Sequence, residues 1–137
     1  MKKYVVLIVE DENEVRDLYR DLLSDNGFEV LLATNGREGL VLAREKQWDL
    51  MLLDIMLPEI DGLSVLQEIK ENHDKPVLII SNLNSDEVIT RATDLGSNGY
   101  VVKSELNPKQ FITEVKKYLN IFVMSIQIIY PYEINIV

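Results

Sequence analysis

The sequence of 137 residues contains no cysteine and a single histidine, His73. The absence of cysteine excludes disulfide scaffolds, thiolate metal sites and catalysis by a thiol. One histidine is too few for a metal site built on several imidazoles. Basic residues are also scarce, because Lys and Arg total 14 against 23 Asp and Glu, which gives a formal net charge of −9. This excess of acid disfavours direct binding to nucleic acid or to an anionic membrane surface, and we expect neither partner.

The chain also lacks a long apolar segment at its amino terminus. The apolar run at residues 5–9 is too short for a signal peptide and meets the acids at residues 10–12 at once. We therefore expect a cytoplasmic protein. The length fits one domain, and a chain of this size buries roughly 68–70% of its unfolded surface, which is enough for one hydrophobic core.

Short apolar blocks alternate along the chain with longer amphipathic stretches. The short blocks are continuous and rich in branched side chains, which is typical of strands covered on both faces. They lie at residues 5–9, 30–33, 50–53, 77–80 and 100–102. The longer stretches have apolar residues at helical spacing. We expect helices to stop at Gly27 and Gly96, and to begin at Ser85 and at Asn107, where Pro108 occupies the first turn.

Five strand–helix units in succession predict an α/β fold. We expect a doubly wound, five-stranded parallel sheet, (βα)5, with helices on both faces. Sheets of this size commonly take the flavodoxin-like order 2-1-3-4-5. Ligands then bind outside the carboxyl ends of the strands, beside the switch point between the first and third strands.

Polar residues follow the first, third, fourth and fifth predicted strands. In chain order they are Glu10, Asp11, Glu12, Asp54, Ser81 and Lys103. These strands are adjacent in the expected order, so their ends meet at one crevice. Crowded carboxylates raise one another's pKa unless a cation lies among them. An oxygen-only ligand set favours Mg²⁺, Mn²⁺ or Ca²⁺, and a few carboxylates with room for water and a phosphate suit Mg²⁺ best.

The same residues suggest phosphoryl chemistry. Asp54 is a candidate nucleophile, because a carboxylate can accept a phosphoryl group as an acyl phosphate. Lys103 could neutralise a carboxylate or hold a phosphoryl oxygen, and Ser81 offers a hydroxyl donor. Each residue also has an ordinary structural interpretation: an acid at a helix N-terminus, a turn former, a satisfied hydroxyl or a solvated chain end. Their joint position at the strand ends favours a shared site.

Four segments of the sequence resemble the receiver domain of response regulators in two-component signalling, a CheY-like superfamily. The resemblance covers residues 3–119. It rests on residues 9–12 (VEDE), 54–62 (DIMLPEIDG), 80–81 (IS) and 95–103 (LGSNGYVVK). In order and spacing this set is highly specific.

The resemblance implies a role for each residue that matches a receiver motif. Asp54 matches the phosphoacceptor, and Lys103 matches the lysine that contacts the phosphoryl group. Glu10 and Asp11 match the acidic pair that holds Mg²⁺, with Asp11 as the expected direct ligand. Asp54 is a further ligand, and Met56 matches the position that lends a backbone carbonyl to the metal.

The resemblance also implies a switch and its partners. Ser81 matches the hydroxyl that moves toward the phosphoryl group, and Tyr100 matches the aromatic residue that turns inward to fill the vacated space. The surface of the fourth helix, fifth strand and fifth helix then changes between two arrangements. A histidine kinase or phosphotransfer protein donates the phosphoryl group. The receiver catalyses only its own phosphorylation and dephosphorylation, so it is a signalling phosphoacceptor and not a metabolic enzyme.

Three positions depart from the family pattern. Asn82 stands where a small residue, often Ala, is usual, and we hypothesise that its bulk slows phosphorylation by small donors. Ser104 replaces the common Pro after Lys103. A cis bond before a residue other than proline costs ~2.5–4 kcal/mol, so we expect a trans bond or a shifted loop there. Glu10 replaces a shorter Asp and could reach the metal through water.

Residues 1–120 form the expected receiver domain, and residues 121–137 form an apolar tail with Glu133 as its one charge. The apolar run is too short to span a bilayer. Apolar residues with heptad spacing continue from the last helix into the tail, at Ile112, Val115, Leu119, Phe122, Ile126 and Ile129. The helix could extend to about Tyr130 and form a homodimer, whereas apolar residues outside that seam favour a β-rich, disordered or truncated end.

We expect no output domain within these residues, so that the chain acts through a downstream protein partner or is the receiver part of a longer regulator. Three other interpretations remain open. A flavodoxin-like protein that binds FMN would need a hydroxyl- and glycine-rich loop where Glu10 begins an acidic run. An aspartate-nucleophile phosphatase would need a second Asp where Met56 stands. A degenerate receiver that only binds partners would not need the full set of Asp11, Asp54, Ser81 and Lys103.

Overall fold

The computed structural model describes residues 2–120. The predicted tail at residues 121–137, with its helix extension and dimer seam, lies outside the described part. Between residues 2 and 120, strands and helices alternate as predicted. The elements are β1 (Val5–Val9), α1 (Asn13–Asp25), β2 (Glu29–Ala33), α2 (Gly36–Glu45), β3 (Leu50–Leu53), α3 (Gly62–Asn72), β4 (Val77–Ser81), α4 (Asp86–Asp94), β5 (Gly99–Val102), a 3₁₀ turn (Lys103–Glu105) and α5 (Pro108–Tyr118).

The strands form one parallel sheet in the order β2-β1-β3-β4-β5. In the central pair, Val9 of β1 lies opposite Leu53 of β3. At the far edge, Ser81 of β4 lies opposite Val102, the last residue of β5. The predicted α/β fold class and strand order are confirmed, and the four strands β1, β3, β4 and β5 end at the same edge of the sheet.

The continuous apolar strands bury both of their faces, because successive side chains point to opposite sides of a strand. In β1, Leu7 and Val9 pack with residues of α2, α3 and α4. Val6 and Ile8 of the same strand pack with residues of α1 and α5. Two hydrophobic layers therefore cover the sheet and hold its strands in register. Among residues 2–120, no helix has the length and apolar character needed to cross a membrane.

The helix ends follow the local signals in the sequence. The Ser85 side chain caps α4, and Asn107 forms a reciprocal capping box at the start of α5, with Pro108 in the first turn. Gly27 and Gly96, just beyond α1 and α4, have φ of 87° and 103°, in the left-handed region that favours glycine. The predicted caps and stops are confirmed.

Candidate functional site

Three polar side chains are buried within the described part of the chain, and all lie where strands end. Glu10 is 2% exposed, Asp54 4% and Ser81 0%. The backbone pairing of the sheet continues to two of these residues. The Glu10 N–H donates to the Ala33 carbonyl oxygen, and the Asp54 N–H donates to the Val9 carbonyl oxygen. The strand ends therefore hold these groups rigidly in a mostly apolar environment, where an uncompensated charge is costly.

Lys103 is the cation of this site. It follows β5, and its Nζ lies 2.7 Å from Asp54 Oδ2, 2.8 Å from Glu10 Oε1 and 3.4 Å from Glu12 Oε1. The Lys103 side chain is only 10% exposed, whereas Glu12 is 61% exposed and lies at the open rim. One ammonium faces three carboxylates, so the group as a whole retains negative charge.

Burial and pairing act in opposite directions on these charges. Burial raises the pKa of Glu10 above its usual 4.5, although Lys103 and the Glu12 backbone N–H oppose it. Burial by itself lowers the pKa of Lys103, but its hydrogen bonds to Asp54 and Glu10 outweigh burial and hold that pKa above its usual value. The ammonium is therefore firmly charged, whereas the Glu10 carboxylate lacks full compensation.

The Asp54 carboxylate has a fixed orientation. Its Oδ1 accepts a hydrogen bond from the Met56 N–H at 3.0 Å, and its Oδ2 contacts Lys103. The loop behind it is tightly packed, because a Cβ on Gly62, the first residue of α3, would lie 2.2 Å from the Asp54 carbonyl oxygen. Gly62 N–H also donates to the Ile55 carbonyl at 2.9 Å. The start of α3 thus sets the position of the Asp54 backbone.

Two arginine contacts shape the loop between β1 and α1. Arg16 Nη1 donates to the Glu10 carbonyl oxygen at 2.8 Å, and Arg16 Nη2 donates to the Asn13 side chain. The Glu10 side chain turns back into the loop, where its Oε2 accepts from the Glu12 N–H at 3.1 Å. These bonds direct Glu10 and Glu12 toward the crevice.

The acids that the structure brings together differ from those that the sequence favoured. Carboxylate oxygens of Glu10, Glu12 and Asp54 all lie within 4.8 Å of one another. Asp11 is exposed and does not belong to this group. Oxygen donors alone, with negative charge left after pairing with Lys103, fit a hard divalent cation such as Mg²⁺. Coordination by Asp11 and by the Met56 carbonyl stays a prediction.

The Ser81 hydroxyl lies at the start of the loop between β4 and α4. Its Oγ accepts from the Leu83 N–H at 3.3 Å, and the Tyr100 hydroxyl donates to the Leu83 carbonyl oxygen. Burial raises the pKa of Tyr100, with the Ser81 hydroxyl acting in the opposite direction. Ser81 and Tyr100, the two predicted switch residues, are therefore joined through one loop residue.

A sequence model of the response regulator receiver domain matches residues 6–116. This chain belongs to the response regulator receiver domain family. Its members are the receiver domains of two-component systems, so the resemblance drawn from the sequence is confirmed.

Curated relatives and solved structures agree with that family. The chain is 34% identical over 120 residues to the "Probable transcriptional regulator ycf27" of Porphyra purpurea, covering 86% of this chain and 48% of that protein. It is 34% identical over 110 residues to the transcriptional regulatory protein YdfI of Bacillus subtilis, covering 79% and 52%. The receiver domain thus spans about half the length of the curated relatives it matches. A CheY-like receiver domain structure from Methanospirillum hungatei superposes with a TM-score of 0.82 at 26% identity, over 87% of this chain and 95% of that one.

The receiver domain holds Lys103 in the site without the usual proline after it. No cis peptide bond occurs among residues 2–120, so the bond between Lys103 and Ser104 is trans, as predicted. The chain turns at once into the 3₁₀ turn, yet the long lysine side chain still reaches Asp54.

Sequence reasoning assigned no role to two residues of the receiver site. Glu12 belongs to the acidic run at the end of the first predicted strand, but the family resemblance implies a metal-binding role only for Glu10 and Asp11 of that run. Arg16 gave no signal, because an arginine in the first turns of a helix is ordinary until its contacts with the loop are known.

Proposed function

We propose that this receiver domain accepts a phosphoryl group on Asp54 from a histidine kinase or phosphotransfer protein, in a transfer that depends on Mg²⁺, with Mn²⁺ as a substitute. The observation that supports this most is the buried Asp54 carboxylate, held by the Met56 N–H at 3.0 Å and by Lys103 at 2.7 Å. A carboxylate oriented in this way at a strand end is poised as a nucleophile.

In the proposed step, an Asp54 oxygen attacks the phosphorus atom of a phosphohistidine. The new P–O bond forms as the P–N bond breaks, and the leaving imidazole nitrogen keeps the electron pair. Lys103 stabilises charge on the transferred oxygens, and Ser81 donates its hydroxyl to one of them. Hydrolysis of the acyl phosphate by water returns Asp54 to its carboxylate, so the domain catalyses only its own phosphorylation and dephosphorylation.

The residues that would hold the metal are Glu10, Asp11, Asp54 and the Met56 carbonyl, and Glu12 adds a fifth oxygen donor. Glu10, Glu12 and Asp54 together contribute three negative charges and Lys103 contributes one positive charge. When bound, Mg²⁺ offsets the remaining negative charge and that of the incoming phosphoryl group. The raised pKa of Glu10 supports the need for such a cation.

The same site would act as a switch. Phosphorylation adds charge and acceptor oxygens beside Ser81, whose hydroxyl then turns toward the phosphoryl group. The Leu83 backbone forms hydrogen bonds with both Ser81 and Tyr100, so a movement of the Ser81 hydroxyl would be transmitted to the Tyr100 side chain. We expect this to change the surface formed by α4, β5 and α5.

The partners of this switch follow from the family and the charge. We take residues 1–120 as the receiver and 121–137 as a tail, and place the protein in the cytoplasm. Since the curated relatives are about twice as long and are described as transcriptional regulators, the output is an attached effector or a separate protein partner. Since the whole chain has a net charge of −9, we expect that the receiver itself does not contact DNA. A homodimer through the tail would be detected by light scattering of full-length and tail-deleted chains.

The central test is incubation with Mg²⁺ and a phosphohistidine donor, followed by intact-mass measurement. We expect a gain of one phosphoryl group that is lost in Asp54→Asn and after chelation of the metal. Asp74→Asn, a change of the same kind at an exposed loop position, is the matched control and should be phosphorylated like the parent. A phosphoryl gain that survives Asp54→Asn would refute the proposal.

A further inference from the structure

Asn82 and Ser104, which both depart from the family pattern beside the site, contact each other. Asn82 Oδ1 accepts a hydrogen bond from the Ser104 backbone N–H at 2.9 Å. Asn82 follows Ser81 in the chain, and Ser104 follows Lys103. The bond therefore joins the loop that presents the hydroxyl to the loop that presents the ammonium.

This bond continues the pairing of β4 and β5 by one step. The backbone ladder between these strands ends at Ser81, opposite Val102. Beyond that point the chain enters two separate loops. In the described structure, the Asn82 side chain joins these two loops at the position where a further backbone hydrogen bond of the ladder would lie.

The two departures are chemically complementary. A proline at position 104 has no N–H to donate, and an alanine at position 82 has no side-chain acceptor. An amide at one position and an N–H at the other are both needed for the bond. The neighbouring Leu83 donates its backbone N–H to Ser81 Oγ and accepts a hydrogen bond from the Tyr100 hydroxyl at its carbonyl oxygen.

We propose that the bond between Asn82 and Ser104, the 82–104 latch, fixes the spacing of Ser81 and Lys103, so that Asn82 is a positioning residue for phosphoryl transfer to Asp54. This inference rests on the proposed function. The latch replaces the restraint that a proline after Lys103 would otherwise impose on its loop. It speeds transfer because both side chains must contact the same phosphoryl group, and small misplacements of such groups are costly.

The latch and the bulk of Asn82 predict opposite effects on rate. If bulk alone matters, removing it opens the site to small donors and speeds phosphorylation. If the latch matters, removing the acceptor slows phosphorylation. Asn82→Leu separates the two, because leucine keeps the size of the side chain and lacks the acceptor, whereas Asn82→Ala removes both.

The experiment compares the parent, Asn82→Leu, Asn82→Ala and Asn84→Leu, with Mg²⁺ present throughout. Asn84 lies two residues further along the same loop, and in the described structure its side chain has no hydrogen-bond partner, so Asn84→Leu is the matched control. One readout is hydrogen exchange of the Ser104 amide by NMR. The other is the rate of phosphoryl gain as a function of acetyl phosphate concentration, measured by intact mass.

In Asn82→Leu we expect Ser104 exchange to become about two- to tenfold faster, as for the loss of one hydrogen bond. The phosphorylation rate constant at saturating donor should fall about two- to tenfold, while the half-saturating donor concentration stays the same. Asn82→Ala should show the same loss of Ser104 protection, and Asn84→Leu should match the parent in both readouts.

Three outcomes would overturn the inference. Unchanged Ser104 exchange in Asn82→Leu would mean that the latch does not form in solution. Faster Ser104 exchange with an unaltered phosphorylation rate constant would mean that the latch forms but does not position Ser81 and Lys103 for transfer. A parent chain that gains no phosphoryl group from acetyl phosphate would overturn the positioning role, and the phosphohistidine assay described above shows separately whether the proposed function fails. The first two outcomes leave phosphorylation of Asp54 intact.

Discussion

Replacing Lys103 with methionine tests the electrostatic account of the site. Methionine keeps the length and apolar stem of the side chain but removes the ammonium that lies 2.7 Å from Asp54 and 2.8 Å from Glu10. Those two carboxylates would then be buried beside each other with no cation between them. We expect a large loss of stability when Mg²⁺ is absent.

The size of the loss follows from the burial of the carboxylates. Removing one partner of a buried ion pair costs about 3–5 kcal/mol, because the remaining charge is uncompensated. The rim of this group is open at Glu12, so we expect the lower end, about 3 kcal/mol at neutral pH. For a domain of this size, that corresponds to a fall in Tm of about 10 °C.

The pH dependence of the loss has a definite sign. Burial already raises the pKa of Glu10 above 4.5, and loss of Lys103 removes an interaction that opposes this shift. A carboxyl group whose pKa is raised on folding stabilises the fold below its unfolded pKa and loses that contribution as the pH rises through its folded pKa. The deficit of Lys103→Met should therefore shrink as the pH falls toward 4.5.

The assay is thermal unfolding followed by circular dichroism across this pH range, with and without Mg²⁺. Lys109→Met, on the exposed surface of α5, is the matched control and should stay within about 0.5 kcal/mol of the parent. Mg²⁺ should restore part of the stability that Lys103→Met loses. If Lys103→Met unfolds like Lys109→Met at neutral pH, or if its deficit widens toward acid pH, the reasoning is refuted.

Three further changes have distinct expected outcomes. Glu10→Gln should raise the urea midpoint of unfolding at neutral pH without Mg²⁺. Since burial raises the pKa of Glu10, the fall of that midpoint with rising pH above 4.5 should also become smaller in this variant. An unchanged dependence of the midpoint on pH would contradict this. Asp49→Asn should cost about 1 kcal/mol at neutral pH. Burial raises the pKa of Asp49, but the Val5 N–H and Lys2 outweigh it and hold the pKa below 3.8. Its contribution is present above 3.8 and is lost as the pH falls through the lower folded value, so parent and variant should converge in acid. Gly62→Ala should cost about 1–3 kcal/mol by guanidinium unfolding and slow the phosphoryl gain, because its Cβ would meet the Asp54 carbonyl oxygen at 2.2 Å; parent-like values in both measurements would show that the loop adapts.

The strand ends could be predicted because they are marked by an abrupt change of residue type. An apolar run stops at Glu10, at Asp54 and at Lys103, and each of these residues directly follows a strand in the structure. The order of the sheet then followed from the alternation of strands and helices, which leaves few alternatives. The principal groups of the site were accessible from sequence for this reason.

The identity of the third acid could not be predicted in the same way. Asp11 and Glu12 are neighbours of similar charge, and the one that faces the crevice depends on the backbone angles after β1. Glu12 is the N-cap of α1 in an extended conformation, and Arg16 holds the loop before it. No periodicity in the sequence encodes that turn.

The bond between Asn82 and Ser104 was hidden for a different reason. Each residue was recognised as a departure, but they are 22 positions apart. Their contact exists because two loops leave adjacent strands side by side. Pairing of individual side chains across loops requires coordinates, whereas the pairing of strands does not.

The Lys103 ion pairs are enclosed by the protein. The arrival of a phosphoryl donor and the transfer of its phosphoryl group should therefore respond differently to ionic strength. Mobile ions screen charges in solution over about 8 Å at physiological ionic strength, but they act weakly on pairs withdrawn from water. Glu10, Asp54 and Lys103 are at most 10% exposed, so added salt should leave the electrostatics of transfer nearly unchanged. The net charge of −9 instead acts at long range on an approaching partner. Salt should therefore alter how often a donor arrives and hardly affect what happens once it has docked.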